Sequence, residues 1–184
     1  MIVTLASASP RRRELIKKIE GLTVEVCPSG ADENVTATSP EELAKTLALK
    51  KASFVFGEKG GIVIGADTIV AINGVVLGKP TSEEQAREFF RLLCGNTHEV
   101  ITGIAVVSKD KTVVRAEKTK VVFGAYDEET VNSYIKTGSP FDKAGGYGIQ
   151  DEGMKPIVKG IKGDFDNVVG LPVKLLAKIL EENF

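Results

Sequence analysis

Short alternating apolar runs and longer stretches of helical period divide the chain into a readable series of elements. Residues 2 to 6 (IVTLA) read as a short buried strand, after which Ser9 stands ready to cap a helix and Pro10 to open it. Leu15, Ile16 and Ile19 share one face, so this helix is predicted to run to about Ile19 and stop at Gly21. Thr23 to Val26 alternates as a second strand. The polar stretch SGADENVTAT follows, and Ser39 and Glu42 then have capping-box spacing ahead of a helix reaching Phe56. Ile62 to Ile64 begins a buried strand that Asp67 is expected to interrupt, before IVAI and a hairpin turn at Asn73-Gly74. Ser82 and Gln85 open another helix, carrying Phe89, Phe90 and Leu93 to a stop at Gly95-Asn96. Two long β-rich runs, 98 to 107 and 112 to 123, flank the turn SKDK, and Asp127 caps a helix ending near Gly138. A glycine-rich loop, a strand from Pro156 to Ile161 and a closing helix begun by Pro172 complete the series.

The order is βαβα, then hairpins broken by one helix, then αβα. That excludes a regular doubly wound sheet and predicts an α/β fold with an elongated mixed β-sheet and flanking helices. No repeat, low-complexity tract or Pro/Ser linker divides it, so residues 1–184 are expected to form a single domain, with two lobes around a cleft left open. At 184 residues the chain can bury a core without staples. Cys27 and Cys94 lack CxxC spacing and sit among apolar neighbours, which predicts buried free thiols and a reducing, cytoplasmic setting. Nothing at the N-terminus reads as a signal, and no apolar run is long enough to span a membrane.

Charge narrows the chemistry. With 24 basic against 25 acidic residues the net charge is -1, and only 6% of residues are aromatic, which argues against a nucleic-acid-binding surface. The single histidine, His98, rules out His-rich zinc sites. A catalytic metal would rest on carboxylate oxygen, which suits Mg²⁺ or Mn²⁺ and points to phosphate chemistry.

Four groups of residues could carry that chemistry. Ser7-Ala8-Ser9-Pro10-Arg11-Arg12-Arg13 places hydroxyls and guanidiniums on a strand-to-helix turn, an anion-binding arrangement that could equally be a capped helix with a solvated basic turn. Gly65-Ala66-Asp67-Thr68 sets a carboxylate in an apolar strand, where it needs a cation or a donor; the plain alternative is an Asp capping a bend. Asp32-Glu33 could complete a metal site while Lys51 and Lys79 neutralise phosphate, although such residues are usually just solvated. The run from Asp142 to Gln150, DKAGGYGIQ, matches no P-loop or dinucleotide fingerprint, and its Gln150 amide could read a uracil-type edge or belong to an ordinary surface loop.

In order along the chain, LASASPRR, DE, KKA, GADTIV, GKP, THEVITGIAV, DKAGGYGIQ and NVVGLP resemble the pattern of Maf proteins, over nearly the whole length. SPRR with the Gln of GIQ is similar to the branch acting on dTTP and UTP. The resemblance implies an elongated mixed sheet between two lobes, related to inosine triphosphatases. It puts Asp67 at the catalytic position and Arg11, Thr68 and Gln150 at positions governing substrate choice. Ser7, Arg12, Glu33, Lys51 and Lys79 match the remaining polar positions. Two residues depart from the pattern: Cys94 stands where SG is common, and Asp151 follows the glutamine where glycine is usual.

The expected activity is hydrolysis of a nucleoside triphosphate to the monophosphate and pyrophosphate, with Mg²⁺ or Mn²⁺ held by Glu33 and Asp67. Asp67 would activate the attacking water, while Arg11, Arg12, Lys51 and Lys79 stabilise the phosphate charge. The resemblance also carries an association with nucleotide-pool sanitation and cell-division arrest. The rival expectation is a non-catalytic nucleotide-sensing regulator of division using the same cleft, and a homodimer is left open. All of this requires Arg11 and Lys79 to share one hollow with Asp67.

Overall fold

The computed structural model describes residues 1–184. Its elements, in chain order, are β1 (Ile2–Leu5), α1 (Pro10–Ile16), β2 (Thr23–Val26), α2 (Pro40–Lys59), β3 (Val63–Ile72), β4 (Val75–Leu77) and α3 (Glu83–Leu93). There follow β5 (Thr97–Val107), β6 (Thr112–Phe123), α4 (Glu128–Lys136), three single 3₁₀ turns between Ser139 and Met154, β7 (Val158–Lys162), α5 (Phe165–Val169) and α6 (Val173–Asn183). Local chemistry accounts for most starts. The Ser39, Ser82 and Asp127 side chains accept from the amides of Glu42, Gln85 and Thr130 at 3.2, 3.2 and 2.8 Å. Asn73 and Gly74 both adopt positive φ, as a tight β3–β4 hairpin requires.

The boundaries differ in places. The first helix ends at Ile16 rather than Ile19, and α2 continues past Phe56 to Lys59. More consequentially, Asp67 does not interrupt its strand: β3 runs unbroken from Val63 to Ile72. Cys94 is buried as expected, whereas Cys27 is only half-buried.

The seven strands form one mixed sheet, ordered β2-β1-β3-β5-β6-β7, with β4 also paired to β3. β1 is parallel to β2 and β3, and every other pairing is antiparallel. On the edge of β3 away from β5, β1 pairs only with Val63 and Ile64, and β4 pairs only with Val70 to Ile72. Residues 65 to 69 therefore face a fork, where one neighbour has ended and the next has not begun. The fork is where the cleft opens.

α2 lies against the middle of the sheet through Ala44, Ala48 and Ala52, all fully buried. Gly65 and Gly103 allow this approach: a Cβ on Gly65 would stand 2.8 Å from the Ala52 nitrogen, and one on Gly103 would stand 2.7 Å from the Lys45 nitrogen. Two larger cores flank the fork. One joins β1, α1 and α6 through residues such as Leu5, Ile16, Leu171 and Leu176. The other joins α3, α4 and the glycine-rich segment through Phe90, Leu93, Tyr134, Tyr147 and Met154. Ile149 packs against both. The mixed sheet, flanking helices and two-lobed cleft are those expected from the sequence. No helix is long and apolar enough to cross a membrane.

Candidate active site

The strand pleat decides which residues reach the cleft. On β3, Gly65, Asp67 and Ile69 point toward α2, while Ala66, Thr68 and Val70 point toward the opposite face. Both Asp67 and Thr68 nevertheless line the cleft, because the strand has no neighbour beside them and the cavity wraps around its edge. On the α2 side, Lys51 shares the sheet-facing stripe with Leu47, Ala48 and Ala52. Its ammonium lies 2.6 Å from Asp67 Oδ1 and 3.0 Å from Glu33 Oε1. The Lys51 and Asp67 side chains are each only 14% exposed, so this pair is poorly screened and its geometry well held. Glu33 reaches in from the 28–38 segment. Asp32 does not line the cleft; it accepts from the Asn34 amide at 3.0 Å and closes a local turn.

On the other face, Arg12 stands behind Thr68. Its Nε donates to the Gly170 carbonyl at 2.8 Å, one terminal nitrogen to Ser7 Oγ at 3.4 Å, and the other to Thr68 Oγ1 at 3.0 Å. Three of the five guanidinium donors are thus engaged, and the other two remain for a ligand. Thr102 donates to the Asn167 carbonyl at 3.1 Å, and Thr68, which accepts from Arg12, has Thr102 Oγ1 at 3.0 Å and the Gly170 carbonyl at 3.4 Å as acceptors for its own proton. Burial pulls the Arg12 guanidinium below its ordinary range, opposed by the nearby Asp67 charge. It stays cationic all the same. Ser7 is buried and does not line the cleft, so it supports Arg12 rather than facing a ligand.

The second lobe supplies the remaining wall. Gly145 docks against the β3–β4 hairpin, donating to the Gly78 carbonyl at 3.0 Å, and a Cβ there would run into Val70. This brings Lys79, which follows Gly78, and Lys143 to the same cavity. Arg11 reaches across the mouth to Asp142 at 3.4 Å. Gln150 is exposed on a turn at the cavity rim. Beneath, His98 Nε2 meets the Tyr147 hydroxyl at 2.6 Å, and burial pushes the imidazole down to about 4, leaving it neutral. Arg11, Arg12, Glu33, Lys51, Asp67, Thr68, Lys79 and Gln150 all line one cleft of about 620 Å³. Beside these polar groups its lining includes the aliphatic side chains of Leu43, Leu47, Val76 and Leu77.

Residues 2–183 match the family model described as Maf-like protein. The chain belongs to the Maf family. A Maf relative from Bacillus cereus (strain ZK / E33L), named dTTP/UTP pyrophosphatase, is 45% identical over 182 residues, covering 98% of this chain and 94% of that protein. Among solved structures, the Ham1 protein of Staphylococcus aureus superposes with a TM-score of 0.62 at 17% identity, covering all of both chains. A HAM1 protein from Coxiella burnetii gives 0.61 at 14% identity, covering 99% of each chain. At that identity, the likeness is one of fold.

Within this Maf fold Glu33 and Asp67 could hold a divalent ion between them. Glu33 and Asp67 already converge on a single cation, the Lys51 ammonium, and both offer hard oxygen donors. No third Asp, Glu, His or Cys joins them. Two carboxylates could hold an ion only with most of its coordination left to other ligands, which Mg²⁺ tolerates, and not in a cage built by protein alone.

Sequence reasoning passed over one residue that lines the Maf cleft and two that support it. Lys143 lies inside the quoted DKAGG run, and its side chain is 11% exposed beside the cavity. Thr102 and Asn167 support Thr68 from behind: the Asn167 amide donates to the Val100 carbonyl at 3.1 Å and to Thr119 Oγ1 at 3.0 Å. Asn167 sits on α5, an element the hydrophobic pattern did not announce, although Asp164 caps it by accepting from the Asp166 amide at 2.8 Å. The signal was that cap, with Gly170 at the other end.

Proposed function

We propose that this Maf protein hydrolyses dTTP and UTP to the monophosphate and pyrophosphate, with a divalent cation, Mg²⁺ or Mn²⁺, as cofactor. The observation that carries the reading is the meeting of Asp67, Glu33 and a set of Lys and Arg cations at the uncovered edge of β3, in a cavity of about 620 Å³. That volume is in the range of small-molecule sites. The name of the Bacillus cereus relative supports the choice of substrate.

The triphosphate lies in the charged region, among Arg11, Arg12, Lys51 and Lys79, and the base lies toward the aliphatic wall and Gln150. Glu33 and Asp67 would hold the ion, which would supply charge neutralisation at the phosphate and make the attacking water more acidic. Asp67 Oδ takes the proton as water oxygen bonds to the α-phosphorus. The bond from that phosphorus to the bridging oxygen then breaks, and pyrophosphate leaves with both electrons. The lysines and arginines hold the leaving charge, since positioning and electrostatics dominate phosphoryl transfer. Lys51 fixes the Asp67 rotamer, and Thr68 and Ser7 fix Arg12. Gln150 offers a carbonyl and an amide to the paired donor and acceptor of a uracil-type edge.

Asp67→Asn tests this directly. Turnover of UTP, followed as UMP and pyrophosphate with Mg²⁺ or Mn²⁺ supplied after chelation, is expected to fall on the order of 10³-fold with folding unchanged. Near-normal hydrolysis by that variant would remove Asp67 from the mechanism. If wild-type protein binds dTTP and releases neither product with either ion, the nucleotide-sensing reading replaces this one.

A further inference from the structure

The turn that carries Gln150 is held at both ends by one atom outside the cleft. Residues 148 to 151 close a four-residue turn, with the Asp151 amide donating to the Gly148 carbonyl at 3.0 Å. At its start, the Gly148 amide donates to the Tyr134 hydroxyl oxygen at 2.9 Å. At its end, that same hydroxyl donates to Asp151 Oδ2 at 2.6 Å. Ser139 Oγ donates to the same carboxylate oxygen at 2.6 Å, and the Lys143 ammonium stands 3.9 Å away. The carboxylate folds back so closely over the turn that a Cβ on Gly148 would lie 2.7 Å from Asp151 Oδ2. Tyr134 is a firm anchor: it is 3% exposed on α4 and packs edge-on against Phe90 at 5.9 Å.

Gln150 has no side-chain hydrogen bond of its own, so its position at the rim is set only through the backbone of this turn. We infer that Tyr134 and Asp151 form a clamp that places the Gln150-bearing turn at the cleft rim, and that the preference for a uracil-type over a cytosine-type base depends on this placement. The inference rests on the base-reading role assigned to Gln150 above. Uracil and thymine present a ring N–H donor beside a carbonyl acceptor, whereas cytosine presents a ring acceptor beside an amine. The Gln150 amide can meet the uracil-type pattern only if the backbone that carries it stands at the right distance from the base, and that distance is what the clamp sets. Tyr134, which does not line the cleft, is therefore a positioning residue acting through Gln150, and Asp151, which does line it, anchors the same turn.

The test measures kcat and KM for UTP and CTP in Tyr134→Phe, Asp151→Ala, Asp151→Asn and Gln150→Ala, with thermal unfolding of each. The UTP-over-CTP ratio of kcat/KM is expected to drop about tenfold in Tyr134→Phe and Asp151→Ala, through a rise in KM for UTP. Asp151→Asn keeps a carbonyl acceptor for the Tyr134 hydroxyl and should stay nearer wild type than Asp151→Ala. A Gln150→Ala variant that loses the ratio, beside clamp variants that keep it, overturns the clamp and leaves base reading standing. An unchanged ratio in Gln150→Ala overturns base reading and the clamp together. Equal losses on both substrates at constant ratio make the network merely structural and overturn the inference. Should Asp151→Ala fail to fold, Tyr134→Phe, which keeps the ring in its packing site, decides alone.

Discussion

Gly65→Ala adds one methyl group where α2 crosses β3, and the structure says how far things must move. That methyl would stand 2.8 Å from the Ala52 nitrogen and 2.9 Å from the Ala52 Cβ, with the Ala48 carbonyl oxygen closer still. Ordinary carbon contacts are about 3.5–4.0 Å, so the helix must withdraw by about 1 Å. The obstacle is mostly helix backbone rather than the tip of a flexible side chain, and no rotamer change relieves it. Overpacking of this kind costs about 1–3 kcal/mol, which for a domain of this size lowers Tm by roughly 2–12 °C. The same withdrawal carries Lys51 away from Asp67, which it now meets at 2.6 Å. A displacement near 1 Å in a catalytic constellation costs on the order of 10²-fold in rate. Differential scanning calorimetry together with pyrophosphate release from UTP checks both halves. A Gly65→Ala protein with unaltered Tm would refute the packing argument. One with lowered Tm and undiminished kcat would refute the claim that α2 sets the Lys51–Asp67 geometry.

Two further predictions concern residues on either side of the sheet. Arg12→Lys keeps the charge but cannot reach Gly170, Ser7 and Thr68 together; about 2 kcal/mol of stability and about a hundredfold in kcat/KM for UTP should be lost, measured by urea unfolding and steady-state kinetics. His98 is held down to about 4 by burial, below its ordinary 6.5, so the unfolded chain binds a proton that the folded chain refuses. Stability should therefore fall as pH drops from about 6.5 toward 4, by at most about 3 kcal/mol from this residue, and be fully retained above that window. Urea unfolding of wild type and His98→Gln across that range isolates the contribution, and identical pH slopes would remove His98 as its source.

Much of the fold was legible because its signals are local. Ser39, Ser82 and Asp127 cap helices through bonds that span three residues, and Asn73-Gly74 specifies its turn by backbone preference alone. What the sequence hid depends on distant partners. Asp67 looked like a break because a lone carboxylate in a buried strand is costly, but Lys51, sixteen residues earlier, supplies the cation that lets the strand continue. α5 has only five residues, too short for a period, and is held by Asn167 bonds to β5 and β6. The glycine-rich segment is ordered by docking on Val70 and Gly78 and by the Tyr134 hydroxyl, none of which lies within it. The candidate residues were named from motifs, whereas the fork in the sheet that gathers them follows from pairing ranges that no motif encodes.

The pleat of β3 has a consequence for how such a chain can vary in length. Asp67 and Thr68 are adjacent yet serve opposite sides, one meeting Lys51 and the other Arg12. A single-residue insertion or deletion between Val63 and Gly65 would turn Asp67 to the Arg12 side and Thr68 to the Lys51 side, and would swing Gly65 out from under α2. Substitutions along the strand can be graded by size, but indels there are all-or-none. A change of length is best accommodated off the sheet, as at the SKDK hairpin tip at 108–111.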